Sequence, residues 1–290
     1  MKEDNKTVLE TRKVSSGSVL GNLPSTRQYF TKTGGNGTEY TSTSTITDDA
    51  LVYPKLTKFE LDSWTTIATN VRNGNTGDYN VGDTKEVNLG TTYGTHTLRI
   101  ANTTTPSECS TSGFSQTACG FVLEFADIIT TYEMNDTDTN VGGWPASSMY
   151  DFVNYDIYNS LPSDLKSTII DTTVVSSHGS TNGENFTSID KLYLLSLKEV
   201  YSDWSTNSYS SYDSAKDLTR TLDYYINKNV TSSDDSETIK KYKTTDSWWW
   251  LREAHSNYDH SFFIVPTDDY SYFSTYANTS GGVSPAFRIG

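Results

Sequence analysis

The sequence predicts an α+β domain in which antiparallel strands alternate with flanking helices and long irregular loops. Three observations support this class: helical periodicity in a few segments, several short runs of β-branched and apolar residues, and a large share of irregular polar chain. The chain has 290 residues, which is enough for one large domain or two small ones and for a sizeable core.

Residues 1–56 are rich in Thr, Gly and Ser and contain few apolar side chains. This composition predicts an N-terminal extension, which could be an extended arm, a hairpin or a linker. The pattern sharpens after this segment, and we expect one domain over residues 57–290.

The first predicted helix follows directly. Asp62 or Ser63 can cap its start, and Gly74 can end it. Its apolar residues recur at helical spacing and share one face; they are Trp64, Ile67, Ala68 and Val71.

Further elements follow in chain order. Strands are predicted over 85–89, 95–102 and 120–134, the last of them interrupted. Apolar residues of 147–161 predict a helix whose buried side carries Met149, Phe152, Val153, Ile157 and Leu161. A short helix over 162–170, strands over 172–177 and 191–196, a helical turn over 197–204, a polar excursion over 205–246 and final strands complete the prediction.

Charge and hydropathy exclude several classes of protein. The net charge is −14, and no Lys and Arg cluster is present to contact phosphates, so we expect no nucleic-acid partner. The sequence contains no run of eighteen apolar residues, so we expect no membrane span. The first residues lack the apolar centre of a signal peptide. We nevertheless expect an extracellular, cell-surface or phage-particle location, reached by a trimmed signal or by another route.

The chain has two cysteines, Cys109 and Cys119, in a short polar loop. Their spacing fits a loop-closing disulfide, with two free thiols as the alternative. It is too wide for a redox CxxC motif. The pair also lacks two further zinc ligands.

No motif predicts a cofactor, a catalytic metal or an enzyme. The four histidines lack HExxH or HxH spacing, and neither GxSxG nor GxxxxGK[ST] occurs. Acidic segments at 135–140 and 232–237 do not match the EF-hand loop. A solvated acidic loop is the favoured interpretation of both, and calcium is the alternative.

The C-terminal segment consists of two apolar edges around a polar middle. Trp248–Arg252 and 283–289 read as buried framework, with Arg252 and Arg288 as structural residues. Successive side chains of a strand alternate between faces, so we expect two of the three consecutive tryptophans, alternate ones, to pack in the core.

The middle lacks a particular set of residue types. Residues 255–282 contain no Lys, Glu, Gln, Trp or Met, although these five make up roughly one residue in eight of the chain, which gives a chance of roughly two per cent at random composition. An asparagine codon AAC or AAT whose adenines are replaced can never encode these five. The window therefore looks like asparagine codons scrambled at adenine.

Several stretches together carry a family resemblance over about residues 60–290: "LDSWTTIATNV", "VGDTKEVNLG", "GGWPASSMYDFVNYDIYNSLPSDLK", "DKLYLLSLKEV" and, above all, "WWLR" with "VSPAFRI". They resemble the bacterial surface-protein family whose C-terminal domain has a C-type lectin-like fold. Some members of this family are variable proteins of diversity-generating retroelements. The resemblance implies a C-type lectin-like scaffold that displays rewritten residues between about 253 and 282.

This resemblance implies a non-enzymatic protein that binds an unknown protein or glycan on another cell, phage or host surface. A fixed-specificity lectin and an adhesin or phage receptor-binding protein are the alternatives. A copper-dependent oxidase of the related formylglycine-generating type is disfavoured, because the cysteines lie far upstream. Glu253 departs from the pattern, because Ser is expected and Glu cannot arise from these codons, so it is either fixed framework or evidence against a retroelement origin of that position.

The predicted ligand-binding residues combine aromatic anchors with polar side chains that supply specificity. They are His255, Asn257, Tyr258, Asp259, His260, Phe263, Thr267, Asp268, Asp269, Tyr270, Tyr272, Phe273, Tyr276 and Asn278.

Overall fold

The computed structural model describes residues 15–19, 21, 28–181, 183–234, 236–267 and 273–290. The chain divides into two compact units, Met1–Leu61 and Asp62–Gly290. Each unit has its own strands, and the α+β class predicted from the sequence is confirmed.

The first unit is built from short antiparallel strands. Its elements are β1 (Ser18–Val19), β2 (Tyr29–Lys32), β3 (Asn36–Tyr40), β4 (Thr45–Ile46), β5 (Tyr53–Pro54) and α1 (Lys58–Leu61). β1 pairs with β4, and β2 lies between β3 and β5. Gly34 and Gly35 turn the chain between β2 and β3 with positive φ, which glycine adopts without steric cost.

The second unit carries the remaining elements. Its helices are α2 (Trp64–Arg72), α3 (Gly90–Tyr93), α4 (Ser148–Asp151), α5 (Tyr158–Ser160), α6 (Ser163–Lys166), α7 (Leu197–Val200) and α8 (Asp223–Asn227). Its strands up to residue 200 are β6 (Thr84–Asn88), β7 (Thr95–Asn102), β8 (Val122–Phe125), β9 (Thr130–Tyr132), β10 (Thr172–Ser176) and β11 (Phe186–Asp190).

The later strands are β12 (Lys240–Tyr242), β13 (Thr245–Ser247), β14 (Trp249–Ala254), β15 (Ser261–Val265), β16 (Ser274–Tyr276), β17 (Gly281–Val283) and β18 (Ala286–Arg288). Short 3-10 turns lie at Ser107–Ser110, Trp144–Ala146, Trp204–Thr206, Ser208–Tyr212 and Ser236–Thr238.

Two sheets form the centre of the second unit. A four-stranded antiparallel sheet has the order β18-β8-β7-β6, and a five-stranded sheet has the order β16-β15-β14-β17-β9. Within the larger sheet, β14 and β17 are parallel, whereas the other neighbours are antiparallel. The β10–β11 and β12–β13 hairpins pair separately.

Helix α2 forms as the sequence predicts. The Ser63 hydroxyl accepts a hydrogen bond from the Thr66 backbone N–H at 3.2 Å, which satisfies one of the free donors at the helix start. Trp64, Ile67 and Ala68 are buried. The helix ends before Gly74, whose φ of +70° is typical of a residue just past a helix terminus.

The helix predicted over 147–161 is present with an unpredicted distortion. Between α4 and α5, residues Phe152–Ile157 form a π-helix. The Asn154 side chain accepts from the backbone N–H groups of Lys191 and Leu192 at 3.1 and 3.0 Å. Asn154 thus joins this helix to residues 191–196, a segment without regular strand hydrogen bonding.

That segment corrects one strand prediction. Residues 191–196 form no strand; they make a single bridge, from Tyr193 to Ala286, and residues 192–197 are buried. Its apolar run reflects burial on all sides, which periodicity cannot distinguish from a strand. The strand lies just before it, at Phe186–Asp190, and the helix predicted over 162–170 is limited to α6.

The three consecutive tryptophans correct a second prediction. Trp249 and Trp250 are both fully buried, whereas Trp248 is half-buried. The two buried rings are therefore neighbours and not alternate residues. This arrangement is possible because β14 is a central strand covered on both faces, and all six of its residues are buried.

A buried ion cluster joins the two sheets. Lys240 donates to a Glu124 carboxylate oxygen of β8 at 2.8 Å and to the Ser284 hydroxyl at 2.9 Å. Arg99 of β7 donates to the other Glu124 oxygen at 2.8 Å. The Lys240 ammonium also lies 4.2 Å from the centroid of the Trp249 ring, so the start of β14 rests on this cluster.

Cys109 and Cys119 form a disulfide, as the spacing predicted. Among the described residues, no helix combines the length and the apolar character needed to cross a membrane.

Candidate functional site

The predicted binding segment begins where β14 ends, so the side chains of β14 position it. Arg252 is fully buried. It donates to the two carboxylate oxygens of Glu199 at 2.6 and 2.7 Å, and to the carbonyl of Leu194 at 2.9 Å. Burial acts to lower the pKa of Arg252, but the Glu199 charge outweighs it and raises the pKa. Arg252 is therefore charged.

Glu199 extends this network to other elements. Its carboxylate accepts from the Ser196 backbone N–H at 2.9 Å and from the Thr219 hydroxyl at 2.8 Å, and it accepts from the Thr117 hydroxyl. The Ser196 hydroxyl in turn accepts from the Glu199 N–H, which completes a capping box at α7. Arg252 is thus a structural residue, as predicted, held by a carboxylate and by backbone carbonyls.

Glu253 lies next to Arg252 and is also buried, with 1% of its surface exposed. Its carboxyl accepts from the Ser177 backbone N–H at 2.6 Å. Burial, and then the charge of Asp213, raise the pKa of Glu253 to about 8. The structure therefore places Glu253 in the framework, which is one of the two readings that the sequence left open.

The turn after β14 is held by a residue far from it in sequence. Asn140 is fully buried, and its side-chain amide donates to the carbonyls of His255, Tyr258 and Ser261 at 3.0, 2.7 and 3.0 Å. The Asn140 backbone N–H also donates to the Asp259 carbonyl at 2.7 Å. We call residues 255–260 the β14 turn. Asn140 binds the main chain of this turn and not the side chains of the turn.

Five rings stack along this turn, and we call them the ring column: Tyr212, His255, Tyr258, His260 and Tyr276. Successive ring centroids lie 4.7, 4.6, 5.7 and 4.9 Å apart, with interplanar angles between 21° and 27°. Tyr258 is 49% exposed and Tyr276 is 55% exposed. The column therefore contains the buried His255 and leads outward from it to solvent-facing tyrosines.

His255 is the inner member of the column. Burial, and then the charge of His260, lower the pKa of His255 to about 4. Its Nδ1 accepts from the Asn257 backbone N–H at 3.1 Å. At neutral pH the ring is uncharged, so the stack with Tyr258 and Phe263 keeps the character of an apolar contact.

The structure divides the predicted binding residues into four groups. Exposed are Asn257, Tyr258, Asp259, Tyr276 and Asn278; partly exposed are His260, Thr267 and Phe273. Buried are His255 and Phe263. Four others lie outside the described residues: Asp268, Asp269, Tyr270 and Tyr272.

Phe263 is a correction, because it is fully buried and cannot contact a ligand from its place on β15. Its ring packs edge-on against Trp204 at 5.8 Å. Phe273 contacts the same tryptophan at 5.5 Å and Tyr209 at 5.9 Å. The polar composition of the segment around them does not indicate that these two rings pack against Trp204.

Sequence reasoning missed two residues that organise the site. Asn140 ends the acidic segment 135–140, for which the sequence favours a solvated loop. Tyr212 lies in the polar excursion over 205–246, in the 3-10 turn Ser208–Tyr212. Neither position carries a local signal, because each acts through a contact with a distant part of the chain.

A family model described as "Domain of unknown function (DUF6273)" matches residues 121–290. The chain belongs to this family. No curated protein and no solved structure matches the chain.

The DUF6273 region contains the ring column, Asn140 and the Arg252–Glu199 pair, whereas β6 and β7 precede it. Within the described ranges, no three or more His, Cys, Asp or Glu side chains are placed to hold a metal ion. What the described site offers is therefore an exposed aromatic and polar surface on a buried, ion-paired support.

Proposed function

We propose that this protein is a non-enzymatic ligand-binding protein that displays a diversified face on a C-type lectin-like scaffold. The ring column and the exposed residues beside it form that face. The observation that carries the proposal is the abrupt change after β14: its six residues and His255 are buried, whereas residues 257–259 are exposed.

The chemistry of the exposed residues supports binding. Tyrosine provides a large, rigid and amphipathic contact area at low entropic cost, and Asn and Asp provide hydrogen bonds that suit different ligands. Tyr258 and Tyr276 present such area at the outer part of the column. Asn257, Asp259 and Asn278 lie exposed around them.

The support of the β14 turn favours a face whose side chains can change. Asn140 binds carbonyl groups, which every residue type possesses. Substitution of an exposed side chain in this turn therefore leaves these hydrogen bonds in place. Loops on such a rigid support tolerate sequence change better than the elements they connect.

The partner that we propose is a protein or glycan on another cell, phage or host surface, and the place of action is the cell surface or a phage particle. The disulfide Cys109–Cys119 supports this location, since disulfides persist in oxidising compartments. It also argues against an oxidase that holds copper through a cysteine pair, because neither sulfur is a free thiolate.

Deep sequencing of the coding segment across natural isolates tests diversification. We expect substitutions to concentrate at adenines of the codons for residues 255–282 and to spare those for 249–254 and 283–289. An adenine-biased copy of the segment beside a reverse transcriptase gene would support the same conclusion. A uniform spread of substitutions contradicts the diversified face and favours a lectin of fixed specificity.

A binding screen tests the face itself. The wild-type chain is applied to a glycan microarray and to an array of purified bacterial envelope proteins, with calcium and with EDTA. Any bound probe should be lost when Tyr258 and Tyr276 are both replaced by Ser. Binding that needs calcium and survives this replacement contradicts the proposed face.

A further inference from the structure

A concave surface lies in the Asp62–Gly290 unit, formed by residues other than those of the ring column. This cleft, which we call the Asp127 cleft, has a volume of about 510 Å³, within the ordinary range for small-molecule sites. Its lining combines threonine hydroxyls and two isoleucines with Tyr93, His96, Asp127, Tyr242 and Lys243.

The floor of the cleft contains an ion pair. Nδ1 of His96 lies 2.9 Å from a carboxylate oxygen of Asp127, and Nε2 lies 2.9 Å from the carbonyl oxygen of Tyr93. A carbonyl and a carboxylate both accept hydrogen bonds, so both ring nitrogens donate and the ring is an imidazolium. Burial acts to lower the pKa of His96, but the hydrogen bond and charge of Asp127 outweigh it and raise the pKa.

Asp127 keeps capacity for a ligand. Its side chain is 34% exposed, compared with 9% for His96. A carboxylate has about four lone-pair sites, and the described contacts of Asp127 are with His96 and, at 3.4 Å, with the Thr97 N–H. The remaining lone pairs can accept from hydroxyl groups of a bound molecule.

The rim of the cleft supplies a cation. Lys243 lies in the turn of the β12–β13 hairpin with φ of +59°, a backbone conformation that is costly for a residue with a side chain and is found often at ligand sites. Its ammonium lies 5.1 Å from the centroid of the Tyr242 ring. The neighbouring Lys241 instead pairs with Asp246 at 3.1 Å.

The charges of these groups identify the class of ligand. His96 and Lys243 each carry one positive charge and Asp127 one negative charge, so the cleft is cationic by one unit in a chain of net charge −14. No described carboxylate forms an ion pair with Lys243, whereas Lys241 has one. A cation without such a partner favours a ligand with one negative charge. Asp127 and the threonines favour hydroxyl groups on the same ligand, and Tyr242 offers a flat apolar surface for its C–H groups.

We propose that the Asp127 cleft binds a small monoanionic polyhydroxy acid of the sugar-acid class, such as a uronic acid. Its carboxylate pairs with Lys243, and its hydroxyls donate to Asp127. This site is independent of the proposed function, because the two use different residues.

Isothermal titration calorimetry of the full chain tests the site with glucuronate, galacturonate and uncharged methyl glucoside at low salt. We expect a uronate to bind at least about tenfold more tightly than methyl glucoside, and its affinity to fall as salt screens the pair. Lys243→Met should weaken uronate binding at least about tenfold, and Lys243→Arg should restore most of it. Lys241→Met is the matched control and should bind as the wild type does.

The proposal is overturned by no uronate binding at millimolar concentration, by equal binding of uronate and methyl glucoside, or by wild-type affinity of Lys243→Met. Lys243 lies on the rim, so this variant is expected to fold; its melting temperature verifies that. The Tyr258→Ser/Tyr276→Ser double variant separates the two proposals, because it should bind uronate normally. If it loses uronate binding, the acid binds at the ring column, and the cleft proposal fails while the displayed face stands.

Discussion

β14 and the β14 turn adjoin in the chain, yet their residues are held in different ways. In β14, Arg252 and Glu253 are fixed through their side chains, by Glu199 and by the Ser177 N–H. In the turn, Asn140 holds carbonyl groups of the main chain, and the Tyr258 ring is about half exposed. The two regions therefore differ in what a side chain determines. In the strand its identity determines stability, and in the turn it determines the chemistry of the surface.

The largest expected effect comes from breaking the ion pair of the strand. Arg252→Met leaves the Glu199 carboxylate buried without its partner, which costs about 3–5 kcal/mol of unfolding free energy. Urea denaturation measures the loss. Lys243→Met, at an exposed position, is the control and should change stability by less than about 0.5 kcal/mol. Equal effects of the two variants would refute the role of the buried pair.

A smaller loss is expected when the main-chain anchor of the turn is removed. Asn140→Ala leaves buried carbonyls without their donor, which costs about 1–3 kcal/mol. Hydrogen exchange should accelerate in 255–261 and remain slow in β14. Asn257→Ala, an exposed change in the same turn, is the control. Unchanged exchange in 255–261 would show that the turn holds its shape without Asn140.

Glu253 sharpens the comparison through pH. The folded state keeps its proton up to about pH 8, whereas an unfolded Glu releases it near 4.5. Stability should therefore decline as the pH rises from 4.5 to 8. Glu253→Gln cannot ionise, so its stability relative to the wild type should improve by about 1 kcal/mol or more between pH 5 and pH 8. Thermal melts across this interval measure it, and parallel curves for both proteins would contradict the assignment.

The smallest effects are expected on the exposed face. Tyr258→Ser and Tyr276→Ser should each change the unfolding free energy by less than about 0.5 kcal/mol, because their rings are half exposed. The buried Tyr193→Ser is the control and should cost about 3–5 kcal/mol. If the exposed tyrosines cost as much as Tyr193, the ring column is part of the core and not a replaceable face.

Local signals explain the part of the fold that could be predicted. The Ser63 cap, the helical spacing of Trp64 and Ile67, and the run at 95–102 all act within a few residues, and α2 and β7 have the predicted form. The disulfide was predictable from the short spacing of its cysteines. These features need no knowledge of the tertiary structure.

Long-range contacts explain the part of the fold and of the site that could not be predicted from the sequence. Residues 191–196 are apolar because they are enclosed, and only the position of Ala286 shows that they make one bridge. Asn140 and Tyr212 act on the β14 turn from distant segments. The burial of Phe263 depends on Trp204, which comes from yet another turn.

The main-chain anchoring by Asn140 has a consequence for protein engineering. A library that randomises Asn257, Tyr258, Asp259, Tyr276 and Asn278 alters none of the amide-to-carbonyl hydrogen bonds that shape the turn. Variants selected from such a library would therefore differ in ligand binding and not in their ability to fold, provided that position 140 is left as asparagine.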